Sequence, residues 1–293
     1  MQCIELNTGC QVERSRHTSK GDQPKWQIDD TWYKADYMGY ESLSEVVVSR
    51  MLSRSTLDNF VTYEPMIIKT ELKPIAGCVS QNFRKLSETL ISLERLHRAY
   101  QGVGLAQAIG QMGAVKAKIQ YTVDFVEKVT GLQNFGRYLS TIMELDAFLL
   151  NEDRHTNNIA VIRNEETGTF RLCPIFDHGL SFLADMNDYP IDADIYSYIR
   201  RVKSKPFCPD FTEQMEAATT LYGSDLHFLF SESDIPELFQ CLDVLGRYWG
   251  CKRGDCSSGW GNHPAEGLFC VRIVPAIGGL GRGEGCFPLR WIG

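Results

Sequence analysis

Asp153, Asn158 and Asp177 are the residues of this chain whose types and spacing suit chemistry. The first two stand in Asp153-Arg154-His155-Thr156-Asn157-Asn158. Two apolar runs follow, Ile159-Ala160-Val161-Ile162 and Phe170 to Phe176, separated by a Gly-containing turn at 164–168. Asp177-His178-Gly179 comes next. Run, turn and run predict a β-hairpin. Folding within the turn sets residue i opposite a residue near 334 − i, so Asn158 faces Phe176 beside Asp177. Opposed residues in such a ladder lie about 4.5–5.5 Å apart at Cα. Two oxygen-bearing side chains thus converge, with Asp153 five residues before them. Hard oxygens suit a Mg²⁺ that arrives with substrate phosphates. The remaining carboxylate, Asp153, suits orienting an attacking hydroxyl or accepting its proton. His155 either polarises a phosphate, orients Asp153, or packs behind the loop. Arg154 has a simple use, neutralising a nearby carboxylate.

The elements that must position these groups can be traced in the sequence. Gln27-Ile28 and Trp32-Tyr33-Lys34 are strand-like, and residues 61–69 return to β-branched and aromatic types. Between them, residues 40–53 place Leu43, Val46, Val47 and Met51 on one helical stripe. Further on, Leu86, Leu90, Leu93 and Leu96/His97 share a helical spacing. So do Ile119, Val123, Val126 and Val129, ahead of a C-capping Gly131. A third helix carries Leu139, Ile142, Met143, Leu145 and Leu149 into the catalytic segment. The expectation is an α+β chain with a β-containing lobe at residues 1–80 and a helical lobe at 81–245.

Asp153-Arg154-His155-Thr156-Asn157-Asn158 resembles the Asp-Arg-His-x-x-Asn catalytic loop of phosphatidylinositol-3-kinase-type enzymes and of HipA-like serine/threonine kinases. Asp177-His178-Gly179 is similar to the Asp-Phe-Gly magnesium motif of kinases. Thr18-Ser19-Lys20-Gly21-Asp22-Gln23-Pro24-Lys25 is similar to the Ser-x-x-Gly-x-Gln-x-Lys loop of HipA-like kinases, with threonine in place of the first serine. The resemblance extends over about residues 10–245 and is nearest to short bacterial members that lack an extra N-terminal subdomain. It implies a bilobal protein-kinase-like fold and an ATP- and Mg²⁺-dependent serine/threonine protein kinase. Asp153 and His155 would be catalytic, and Asn158 and Asp177 would hold Mg²⁺. Gly21 and Gln23 would belong to the loop over the ATP phosphates, and Thr18 or Ser19 would be autophosphorylated. Lys34 would reach the phosphates. Glu41 would be its ion-pair partner, with Glu45, one turn later on the same helix face, as a close rival. A protein Ser or Thr would be the acceptor, and an antitoxin-like protein a partner. Lipid or small-molecule kinases, or a catalytically degenerate binding module, are the alternatives.

Composition bounds the rest. The formal charge is −7, which gives no general electrostatic pull toward nucleic acid or anionic lipid. No apolar run approaches the roughly 18 residues of a membrane span. The first residues lack the basic-then-apolar order of a signal peptide, so the ten cysteines are expected as thiols and the protein in the cytoplasm. Residues 246–293 hold 12 of the 25 glycines and show no apolar period, which predicts a poorly ordered tail. Cys251, Cys256, His263 and Cys270 within it match no common zinc spacing. The densest basic cluster, Arg200-Arg201-Val202-Lys203-Ser204-Lys205, faces either an acidic substrate or partner, or solvent.

Overall fold

Among the described residues six strands and one helix lead up to Ser92, and helices with one two-stranded hairpin follow. In chain order they are β1 (Gln2–Glu5), β2 (Lys25–Ile28), β3 (Thr31–Ala35), α1 (Glu41–Leu52), β4 (Glu64–Lys69), β5 (Pro74–Gln81) and β6 (Glu88–Ser92). Then come α2 (Leu93–Gln101), α3 (Leu105–Gly110), α4 (Val115–Thr130), α5 (Phe135–Leu149), β7 (Ala160–Asn164) and β8 (Phe170–Leu172). α6 (Ile195–Ile199), α7 (Phe211–Tyr222) and α8 (Ile235–Leu238) complete the order. The computed structural model describes residues 2–7, 23–190, 194–240 and 242. The fold is α+β. Thr18, Ser19, Gly21, the residues 246–293 and their cysteines lie outside the described residues. Among the described residues no helix is long and apolar enough to cross a membrane.

The chain divides into two compact units, one comprising the described parts of Met1–Asn82, His178–Arg201 and His227–Gly293, the other Phe83–Asp177 and Val202–Leu226. The expected boundary after residue 80 therefore has a counterpart at Asn82. Two segments of the expected helical lobe, however, group with the large sheet. The break between Asp177 and His178 falls inside the Asp-His-Gly motif.

In the first unit a five-stranded sheet runs β1-β4-β5-β3-β2. β1 is parallel to β4 and the other pairs are antiparallel. Leu6, Trp26, Ala35, Met66 and Ile68 form a core on it. α1 packs against β4 and β5. The expected apolar stripe on α1 is present, with Leu43, Val46, Val47 and Met51 fully buried. Its polar face is buried too: Ser44 Oγ donates to the carbonyl of Ser181, and Tyr40 Oη to that of Phe182 at 2.7 Å. A helix covered on both sides needs partners for its polar groups, and the segment after His178 supplies them.

The second unit has a three-stranded sheet, β6-β7-β8, and the helices α2–α5 and α7. It corrects two expectations. The Leu86-to-His97 helix starts only at Leu93, because Leu90 sits in β6 opposite Ile162 of β7 and Leu86 is fully exposed. Ser92 ends the strand and caps the helix by accepting from the N–H of Arg95. The hairpin forms, but its register is one residue off. Val161 pairs with Leu172 and Arg163 with Phe170. The turn closes with four residues between Asn164 and Thr169, where Gly168 adopts φ +70°. The ladder ends at Leu172, before Cys173-Pro174, so Asn158 and Phe176 are not ladder partners.

Candidate active site

α5 leads into the segment that holds Asp153 and Asn158. Its C-cap, Leu150, takes the left-handed conformation at φ +54° and turns the chain into Asn151. Arg154 then points back into the unit and is fully buried. Its Nε and Nη2 donate to Asp146 of α5 at 2.8 and 3.1 Å. Its Nη1 donates to the carbonyls of Asn158 at 3.0 Å and Phe176 at 2.8 Å. Asn151 Nδ2 reinforces the cluster, donating to Asp146 at 2.9 Å and to the carbonyl of Asp177 at 3.4 Å. Burial raises the Asp146 carboxyl above its usual range, and Arg154 and Asn151 offset part of that rise. One guanidinium thus ties down the loop's end and the residue before Asp177.

The loop itself is closely bonded. Thr156 Oγ1 donates to Glu94 at 2.8 Å, and the N–H groups of Leu93 and Glu94 at the start of α2 donate to the carbonyls of Ile159 and Thr156. Asn158 Nδ2 donates to the carbonyl of Asp153 at 2.9 Å. Spending the amide nitrogen this way fixes the side chain with Oδ1 as its remaining donor atom to a cation. Asp177 holds φ +65°, which Asp tolerates better than most residues. Among the described residues no group of three or more His, Cys, Asp or Glu gathers as a metal site. An amide oxygen plus one carboxylate fits a Mg²⁺ whose other ligands are phosphates and water.

Asp153 is largely buried and accepts from Lys205 Nζ at 3.2 Å on Oδ1. His155 Nε2 lies 3.7 Å from Asp153 Oδ2, beyond hydrogen-bonding distance. His155 Nδ1 accepts from the N–H of Asn157, which turns Nε2 toward the carboxylate.

In the other unit Lys34 on β3 is buried and pairs with Glu45 Oε1 at 2.5 Å. Its ammonium also reaches Tyr63 Oη and stands 4.9 Å from the centre of that ring. The expected partner, Glu41, does something else. Its carboxylate turns outward from the helix start and accepts the N–H groups of Met38 at 2.7 Å and Gly39 at 3.0 Å. Burial pushes its acidity down, raising the carboxyl above its usual range despite those bonds. A glutamate at the helix start thus serves N–H groups of the chain leading into α1. One turn on, Glu45 points at the sheet. Gln23 lies just before β2, and its Nε2 is buried without a hydrogen bond among the described residues.

Three of these groups escaped the sequence reading. Asp146 is hidden among the apolar residues of α5, although an acid on a buried stripe eight residues before an Arg is itself a signal. Asn151 precedes the motif. Lys205 lay in the basic cluster, with nothing in its spacing to tie it to Asp153.

No family model matches this chain, and no curated protein matches it. Among solved structures it is similar to one titled a crystal structure of a Helicobacter pylori proinflammatory kinase, CtkA. The TM-score is 0.48 and the identity 15%, covering 94% of this chain and 97% of that one.

Proposed function

We propose that this chain is an ATP- and Mg²⁺-dependent phosphotransferase, a HipA-like serine/threonine protein kinase able to phosphorylate itself. The observation that carries the reading is the Arg154 clamp, whose single Nη1 bonds the carbonyls of Asn158 and Phe176. It supports the use of Asn158 Oδ1 and the Asp177 carboxylate as the two protein oxygens for Mg²⁺, which would neutralise phosphate charge when bound. In the same unit Asp153 orients the acceptor hydroxyl and takes its proton. In the sheet unit Lys34, held by Glu45, offers its ammonium to phosphate oxygens. Each group positions or neutralises, which is most of what phosphoryl transfer asks of a protein.

Self-modification falls at Thr18 or Ser19. A phosphate there adds about −1.5 to −2 charge at neutral pH and would be repelled by nucleotide phosphates, lowering ATP affinity.

Incubation with γ-labelled ATP and Mg²⁺, with casein as a second acceptor, tests the reading. Label should enter protein as phosphoserine or phosphothreonine, with Asp153→Asn as the blank. Mg-ATP well above its dissociation constant should also raise the melting temperature. Neither label nor stabilisation by Mg-ATP is the result that sinks the assignment. Mass spectrometry locates the site, and phosphate elsewhere than 18–19 overturns the self-silencing loop.

A further inference from the structure

We propose that Lys205 is a further catalytic residue, whose ammonium meets the phosphoryl group in transfer; this rests on the phosphotransferase reading above. Lys205 comes from a segment 52 residues beyond Asp153, yet its Nζ sits 3.2 Å from Asp153 Oδ1. The segment is built to hold it there. Gln214 on α7 is fully buried, and its side chain grips the backbone on both sides: Nε2 donates to the carbonyl of Lys205 at 3.0 Å, and Oε1 accepts from the N–H of Phe207 at 2.9 Å. Ser204 closes the turn, its N–H donating to Pro209 and its Oγ to Cys208. Lys118 Nζ on α4 donates to the carbonyl of Phe207. The Lys205 side chain stays 35% exposed, against 15% for Asp153. A half-open pair of this kind adds little to stability, so the anchoring is better explained by what the ammonium does.

An acceptor hydroxyl bonded to Asp153 must also stand about 3–3.5 Å from the phosphorus it attacks. The equatorial oxygens of that phosphoryl group then lie around the same carboxylate, and two like charges face each other. Lys205, already touching the carboxylate, is within reach of those oxygens and offsets the repulsion. In the step, the acceptor oxygen forms its bond to phosphorus and gives its proton to Asp153. The bond from phosphorus to the ADP oxygen breaks, and its electron pair leaves with ADP. Lys205 keeps its proton throughout and carries only charge.

The test compares Lys205→Met and Lys205→Arg with the wild-type full chain, using γ-labelled ATP, Mg²⁺ and casein. Lys205→Met should lose about a hundredfold or more in maximal rate, the scale of one charge-stabilising donor. The half-saturating ATP concentration should change less than about threefold, and the melting temperature should barely move, since Gln214 holds backbone atoms only. Lys205→Arg, keeping the charge, should retain about a tenth of the rate or more. Wild-type transfer with Lys205→Met near normal overturns this role alone. A rate loss matched by lost ATP affinity or lost melting temperature also overturns it, showing a structural lysine. An Arg variant as inactive as the Met variant overturns the charge role. No transfer by the wild type overturns the kinase reading and this role together.

Discussion

Glu45 accepts the backbone N–H of His178 on Oε2 at 2.9 Å, across 133 residues of sequence. Its other oxygen takes the ammonium of Lys34. A single buried carboxylate therefore fixes the lysine of β3 and the residue that follows Asp177. Both of its oxygens are in use and it is completely buried, so its charge is compensated on each side.

Exchanging the two glutamates of α1 separates their roles. Glu45→Gln leaves the buried Lys34 ammonium without its carboxylate, which costs about 3–5 kcal/mol. It should lower Mg-ATP affinity tenfold or more. Glu41→Gln keeps one acceptor oxygen for the loop N–H groups and costs about 1 kcal/mol, with Mg-ATP affinity nearly unchanged. Melting curves and nucleotide titration of both variants decide it. Loss of ATP binding in Glu41→Gln alone would restore the partner that the helix start suggested.

Asp177→Asn addresses the metal oxygens. Asn is as tolerant as Asp of the left-handed conformation held here at φ +65°. The clamp beside it grips backbone carbonyls, so the fold should be unchanged. Turnover should fall at least a hundredfold. A near-normal rate over a Mg²⁺ titration would remove Asp177 from the metal set.

What the sequence disclosed and what it hid have physical reasons. The loop from Asp153 to Asn158 stands out in the sequence because its polar residues are contiguous. The helix end at Gly131 was legible because a glycine cap is local. Register was not. The number of residues in the hairpin loop depends on which N–H the carbonyls of Asn164 and Thr169 find, and one residue shifts every pair. Leu86, Leu90 and Leu93 satisfy a helical spacing, but the partner that makes Leu90 a strand residue lies in β7. Glu41 and Glu45 sit on one face, and only the path of residues 36–40 decides which one meets Lys34. Asp146 and Lys205 act on the motif from outside it, and pairing across that distance is set by tertiary packing.

The clamp predicts a non-additive pair. Arg154→Met strands the Asp146 carboxylate in a site with no solvent, and Asp146→Leu strands the guanidinium. Each should cost about 3–5 kcal/mol, or roughly 10 °C or more in melting temperature for a chain of this size. The double variant removes both charges and should be more stable than either single one. Its loop carbonyls at Asn158 and Phe176 lose their donor, however, so phosphotransfer should stay low while stability recovers. Additive losses in the double variant would show that the two residues do not act as a unit.

Acid should loosen the small sheet of the helical unit at Glu88. Arg171 on β8 reaches over β7 to this residue on β6, donating from Nε at 2.9 Å and Nη2 at 2.7 Å. That forked bond holds the Glu88 carboxyl down to about 2, from an ordinary value of 4.5, with the N–H of Lys85 assisting. The sign follows from proton counting. Between about 4.5 and 2 the unfolded chain binds the proton more readily than the folded one. The stabilisation is therefore fully present above the higher value and is lost as pH falls toward the lower. Arg171 is 39% exposed, so solvent screening limits the effect to about 1 kcal/mol, some 2–4 °C in melting temperature. Glu88→Gln has no proton to gain over this range. The melting-temperature gap between wild type and Glu88→Gln should be widest at pH 6 and close as pH approaches 2. A gap that stays constant from pH 6 to pH 2 would mean that the ion pair contributes nothing to the sheet's stability.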